Sequence, residues 1–188
     1  EPNAYRPAFA GATPEASALA GLASGLAQYD MASRGAPAAI IVEPVISAGG
    51  VLVPPKAYFE ALRQAADERG MLLIFDEAQT AFGRIGARTA AEHFGVTPDI
   101  MSVSKTLGGG LPVAATVTSS AIEAKVHARG FTFYTSHVAD PLPALAGLAV
   151  LETIRSERLI ERASEQGAYL RAQLEALQQR HEAIGDVS

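Results

Sequence analysis

The sequence predicts an α/β protein whose mostly parallel sheet is flanked by helices. Helix-period stretches alternate with short apolar runs, in the order strand 38–43, helix, strand 71–75, helix, strand 100–104, strand 113–118, helix. That alternation is the pattern of a layered α/β structure. The runs are also apolar at successive positions, as in Met71-Leu72-Leu73-Ile74-Phe75, which is how strands buried on both faces of a parallel sheet read. Three of them end abruptly in a charge, at Glu43, Asp76 and Lys105. Strand ends are where an open parallel sheet presents its ligands.

Each element has its own local reason. Residues 1–12 carry Pro2, Pro7 and Gly11 and read as a loop or connecting segment. Thr13-Pro14 starts a helix, with Thr13 as N-cap and Pro14 in the first turn. Leu19, Leu22, Leu26 and Tyr29 follow at helical spacing to about Ser33, where Gly35 stops the helix. The strand ending at Glu43 leads into Pro44-Val45-Ile46-Ser47-Ala48-Gly49-Gly50, a loop whose glycines permit close backbone approach. Pro54-Pro55 opens a helix to about Arg69, with Tyr58 or Phe59, Leu62 and Ala66 facing inward, and Gly70 ends it. After the 71–75 strand, residues 81–85 read as loop and 89–93 as a short helix. Pro98-Asp99 leads into the lysine-bearing strand, and Gly108-Gly109-Gly110 makes a turn before 113–118. Ser119 or Ser120 caps a helix ending at Gly130, and residues 131–135 alternate like an exposed strand or a loop. Helices are expected over 139–156 and from 157 to about 183, the last amphipathic with Leu170, Leu174 and Leu177 in register.

The 188 residues suffice for one substantial core, and 48% of them are hydrophobic. A net charge of −5 without a Lys/Arg cluster argues against a nucleic-acid surface. No apolar run reaches the roughly 18 residues of a membrane span; residues 38–53 come nearest and are cut by Glu43, Pro44 and a Gly pair. The absence of Cys excludes disulfides and thiolate metal sites and fits a cytoplasmic protein. His93, His127, His137 and His181 show no metal-ligand spacing. The chain opens on Glu1, and 184–188 read like the opening of another strand, so a piece of a longer polypeptide is expected.

The chemistry concentrates at two of the strand ends. Asp76 has a plain reading as a cap of the following helix, with Glu77 a structural acid beside it. Lys105 has a plain reading as a surface lysine. Only Lys56, Lys105 and Lys125 are lysines, however, and only Lys105 terminates an apolar strand. An acid and an amine delivered to one sheet edge suit pyridoxal 5'-phosphate, which needs a lysine for its Schiff base and a carboxylate at its ring nitrogen.

Four stretches extend this reading: Ile41-Val42-Glu43-Pro44-Val45-Ile46-Ser47-Ala48-Gly49-Gly50, Asp76-Glu77-Ala78-Gln79-Thr80, Ser104-Lys105-Thr106-Leu107-Gly108-Gly109-Gly110-Leu111-Pro112 and Tyr134-Thr135-Ser136-His137-Val138-Ala139-Asp140-Pro141-Leu142-Pro143. In this order they resemble the class III aminotransferases, and within that family they are most similar to dialkylglycine decarboxylase. The resemblance implies the large cofactor domain of a fold type I pyridoxal-phosphate enzyme over 1–183, with 184–188 starting a C-terminal small domain. It implies that Lys105 carries the cofactor, Asp76 pairs with the pyridine nitrogen and Gln79 donates to the ring O3' oxygen. Ala78 would pack on the ring, Glu43 would orient polar groups nearby, and the Ser136 hydroxyl would reach the phosphate of the neighbouring subunit. In the decarboxylase an alkali-metal ion, potassium or sodium, lies close by, and Ser136, Val138 (through its carbonyl) and Asp140 match three of its ligands. The competing reading of Asp140 is an N-cap. Ser47-Ala48 stands where the decarboxylase has two serines, which puts the substrate preference in question.

The function so implied is decarboxylation or transamination of an amino acid with a 2-oxo acid acceptor, by a homodimer or dimer of dimers with its site at the subunit interface. Transamination without decarboxylation is one alternative. A non-catalytic module that binds a partner through the final helix is another. The cofactor-stacking aromatic, the phosphate-binding glycines and the substrate-binding Arg belong, by the same resemblance, to sequence outside these residues.

Overall fold

The computed structural model describes residues 13–33 and 37–187. The expectations for 1–12 and Gly35 lie outside them. Helix α1 (Pro14–Ala32) starts as expected, the Thr13 hydroxyl accepting from the Ala16 amide at 3.2 Å. Strand β1 (Ala39–Val42), helix α2 (Lys56–Glu68), strand β2 (Leu72–Asp76), the short helix α3 (Ala90–Phe94) and strand β3 (Ile100–Val103) follow. A 3-10 turn over Lys105–Gly108 leads to strand β4 (Ala115–Thr118), then helices α4 (Ser120–Ala128), α5 (Pro141–Ser156) and α6 (Leu159–Gln178). Residues 131–135 form no strand. Helix α6 stops short of 183, its last carbonyls taken by turns at Arg180 and His181.

The sheet order is β1-β2-β3-β4, parallel across the first three strands and antiparallel between β3 and β4. The two parallel steps are right for crossover helices, which α2 and α3 supply. The step into β4 has only the lysine turn and its glycines, too little chain for a crossover, so the strand doubles back.

Helices α2 and α3 cover one face. Leu73 and Phe75 of β2 meet Phe59, Leu62 and Ala66 of α2 and Ala90 and Phe94 of α3 in a buried cluster. Phe59 is its hub, packing on Phe75 with ring centroids 5.6 Å apart and on Phe94 at 4.3 Å. The other face corrects the expectation of strands buried on both sides. Ile41, in register with Ile74, is 67% exposed, and every residue of β4 is exposed. The described helices supply cover for a single face. Asp76 and Ser102, in register at the ends of β2 and β3, share the uncovered face with Ile74 and Ile100, since side chains alternate along a strand.

Candidate active site

The site is built where β2 and β3 run out. Asp76 and Ser102 are paired in register, so Lys105, three residues beyond Ser102, leaves the sheet at the same edge as the acid. One carboxylate oxygen of Asp76 is fully engaged. Oδ1 accepts from the Ala78 amide at 3.0 Å, closing a local turn, and from the Ser102 hydroxyl at 3.1 Å across the strands. Oδ2 accepts nothing among the described residues. The plain reading of Asp76 as a helix cap therefore fails: Thr89 is the N-cap of α3, its hydroxyl accepting from the Glu92 amide at 3.1 Å, and the acid that reaches the helix start is the neighbour of Asp76. Glu77 is fully buried, and its carboxylate accepts from the Ala90 and Ala91 amides at the start of α3, both at 2.8 Å, and from the Thr80 hydroxyl at 2.6 Å.

This clamp fixes the turn that carries Ala78 and Gln79. Gln79 is exposed, and its amide nitrogen donates to the Ser47 hydroxyl. That contact ties the β2 turn to the 46–52 loop, a tight hairpin closed by the Ile46–Leu52 bridge. A Cβ on Gly49 would stand 2.9 Å from Ile46 Cγ2, so the loop has room there for glycine alone. Glu43 is half-buried just past the end of β1, beside this loop.

Lys105 is exposed and opens its 3-10 turn with φ of 51°, in the left-handed region that a side chain enters only at a cost. The turn is held from both sides. Leu107 is buried with Ala81 and Val103, and Gly147 of α5 lies so close that a Cβ there would be 3.4 Å from the Leu107 carbonyl oxygen. Arg84 donates to the Thr106 hydroxyl at 3.2 Å. A strained lysine on a turn braced from both sides makes Lys105 a candidate functional position.

The three other candidate positions, Ser136, Val138 and Asp140, lie apart from this edge in chain order. Ser136, His137 and Val138 are exposed in the turn before α5. Asp140 stands at the N-cap position of α5 but makes no side-chain cap bond. Its Oδ2 meets His137 Nδ1 at 2.7 Å instead. Among the described residues no three His, Cys, Asp or Glu side chains gather to hold a metal. A hollow of about 350 Å³ between α1, β1 and α2 is lined by Ala18, Leu22, Leu26, Tyr29, Ile40 and Tyr58, among others. It brings no charged group to bear and lies on the covered side of the sheet. The residue that sequence reasoning passed over is Ser102, whose role depends on register across two strands.

Residues 11–188 match the family model described as aminotransferase class-III. An uncharacterised aminotransferase of Schizosaccharomyces pombe is 46% identical over 158 residues, 84% of this chain and 35% of that protein. A leucine/methionine racemase of Thermococcus litoralis is 41% identical over 150 residues, 80% of this chain and 33% of that one. A PLP-bound crystal structure of an amine transaminase from an uncultivated Pseudomonas species matches all of this chain and 44% of its own, with a TM-score of 0.91 and 33% identity. The chain thus spans about a third of the length of the curated relatives it matches.

Proposed function

The chain belongs to the class III aminotransferase family, and from that premise we propose that it supplies the lysine- and aspartate-bearing edge of an enzyme that moves an amino group from an amine or amino acid to a 2-oxo acid. The observation that carries this reading is the end of the β2–β3 pair. Asp76 has one oxygen locked and the other free, and the adjacent strand continues into a strained, exposed lysine. An anionic acceptor and an amine at one rim are the donor set that pyridoxal 5'-phosphate requires.

When bound, that cofactor supplies an aldehyde that condenses with amines and a ring that draws off the electron pair released at the substrate Cα. The protein's own groups divide the remaining work. Asp76 Oδ2 accepts from the ring nitrogen and holds a proton there. Gln79, one amide N–H engaged by Ser47, has its second for the ring's O3' oxygen. Ala78 offers a small apolar surface to the ring, and Glu43 orients polar groups at the end of β1. Lys105 Nζ would tether the cofactor and is the group placed to take a proton from Cα and return it. Ser136 offers a hydroxyl to the phosphate held by a neighbouring subunit, so the working unit in this reading is a homodimer, cytosolic in keeping with its cysteine-free composition.

The names of the two aminotransferase relatives support transamination as the net reaction. A second reading, in which Cα loses CO2 rather than a proton, rests on the likeness of 134–143 to dialkylglycine decarboxylase. Ser136, the Val138 carbonyl and Asp140 would there hold a potassium or sodium ion. Comparing CO2 release from 2-aminoisobutyrate and pyruvate with transamination of alanine separates the two.

The test of the shared reading is Lys105→Ala in the full-length protein. The expected result is loss of the visible cofactor absorption and of the covalent adduct that borohydride fixes. Retention of both overturns it.

A further inference from the structure

We propose that Ser102 is a positioning residue for Asp76, its hydroxyl and the Ala78 amide holding Oδ1 so that Oδ2 alone is left for the ring nitrogen of the cofactor. The inference rests on the reading of Asp76 given above.

The carbon–carboxylate torsion of an aspartate is soft, so a carboxylate with no side partner samples a broad range. Here two donors converge on Oδ1, at 3.0 Å from Ala78 and 3.1 Å from Ser102. The Ala78 bond is local and moves with the turn. The Ser102 bond crosses from β3, and it is the one that ties the carboxylate to the rigid sheet. Ser102 is well placed for this because it grips both acids of the pair. Its carbonyl accepts from the Glu77 amide at 2.9 Å while its hydroxyl serves Asp76. Val103 next to it is buried with Leu107 and Ala81, which leaves the Ser102 backbone little freedom. A serine hydroxyl has a single proton to give, and Asp76 receives it.

Removing that donor frees the carboxylate to turn, and its grip on the ring N–H weakens. A lost hydrogen bond to an ionised group corresponds to roughly a 10-fold weaker cofactor dissociation constant. The ring nitrogen reports the effect directly through the 15N resonance of labelled pyridoxal phosphate bound to the full-length protein. Ser102→Ala is expected to move that resonance from the protonated towards the neutral pyridine position and to weaken cofactor retention. Ser102→Thr, which keeps the hydroxyl, is expected to match the wild type. Ser102→Val, with the shape of Thr and no hydroxyl, is expected to behave as Ser102→Ala. A purely structural serine would move thermal stability and leave the resonance unchanged.

Should Ser102→Ala not accumulate as folded protein, Ser102→Cys carries the comparison, its weak S–H donor giving an intermediate shift. Wild-type resonance and affinity in the variants lacking a hydroxyl overturn the proposal while leaving the cofactor reading intact. Loss of the adduct in Lys105→Ala establishes that reading independently, and its persistence removes the premise for both.

Discussion

Asp76 and Glu77 are adjacent acids with opposite environments. Among the described residues one oxygen of Asp76 has no donor, whereas both oxygens of Glu77 are engaged. The Glu77 carboxylate is fully buried with no cationic partner among the described residues, and what stabilises it is three donors, two of them the first amides of α3. Glu77→Ala therefore strands three donors, two of them buried and one part-buried. At about 1 kcal/mol or more each, the loss of stability is expected to be roughly 3–5 kcal/mol, read from denaturant midpoints of the full-length protein. Glu77→Gln, which keeps a carbonyl acceptor but brings an extra donor to the helix amides, is expected to lose less than the alanine variant. A change below about 1 kcal/mol in Glu77→Ala would mean that water serves the α3 amides equally well. The importance of the acid pair is readable from the sequence, because both follow an apolar strand. Which acid keeps an unengaged oxygen at the sheet edge is set by strand alternation and by Ser102 on another strand, and neither is a local signal.

Among the elements, the strands and α2 follow local patterning closely, and every observed strand falls within or one residue past its expected limits. The deviations arise where a neighbour decides. Leu170 and Leu174 lie on the helical period of α6, yet they are 57% and 37% exposed and no residue of that helix is buried. Helix α6 instead approaches the 83–86 turn through Ile160 and Ser164, each 3.0 Å from where a Cβ on Gly83 or Gly86 would stand. Glycines at positive φ separate in the same way. Gly70, at the end of α2, has φ of +65° and open space around it; Gly109, just past the lysine turn, has φ of +57°, and a Cβ there would meet Val150 Cγ2 of α5 at 2.9 Å. Alanine at either position is expected to cost about 1–2 kcal/mol of stability for the left-handed backbone. Only Gly109→Ala is expected also to push the lysine turn off α5 and release cofactor on dialysis. Equal retention in the two variants would show that the turn does not depend on this contact. A third element-scale expectation concerns Asp99, which locks the start of β3 to α2 and β2. Partial burial opposes its charge, but the Leu73 amide at 2.7 Å and the Arg63 guanidinium at 2.8 Å outweigh it and hold the carboxyl below the usual carboxylate range. A lowered folded pKa contributes stability that is fully present above the unfolded value, about 4, and is lost as pH falls through the folded one. Unfolding midpoints between about pH 5 and pH 3 are expected to fall less steeply in Asp99→Asn than in the wild type. Parallel slopes would remove Asp99 from the acid response.

At the scale of the molecule, burial is lopsided. The core lies between β1–β3 and the helices α2 and α3, while β4, α4 and α6 contain no buried residue. Helix α5 turns Gly147 towards the lysine turn and leaves Leu142 and Leu145 68% and 63% exposed, close in sequence to Phe133 and Tyr134 at 69% and 84%. Exposed apolar residues in such numbers mark candidate surfaces for cover by further chain or by a partner, and the relatives are about three times as long as this chain. The homodimer in the proposed function places a second subunit beside Ser136, which lies between Tyr134 and the α5 leucines. A charge on that stripe is then expected to part the subunits: full-length Leu145→Glu should sediment as a smaller species than the wild type and release cofactor on dilution. The same substitution on a face covered by the protein's own chain would lower thermal stability at unchanged mass, and on a solvated face it would change neither. Sedimentation together with an unfolding curve therefore separates the three arrangements, and only the drop in mass supports a shared site.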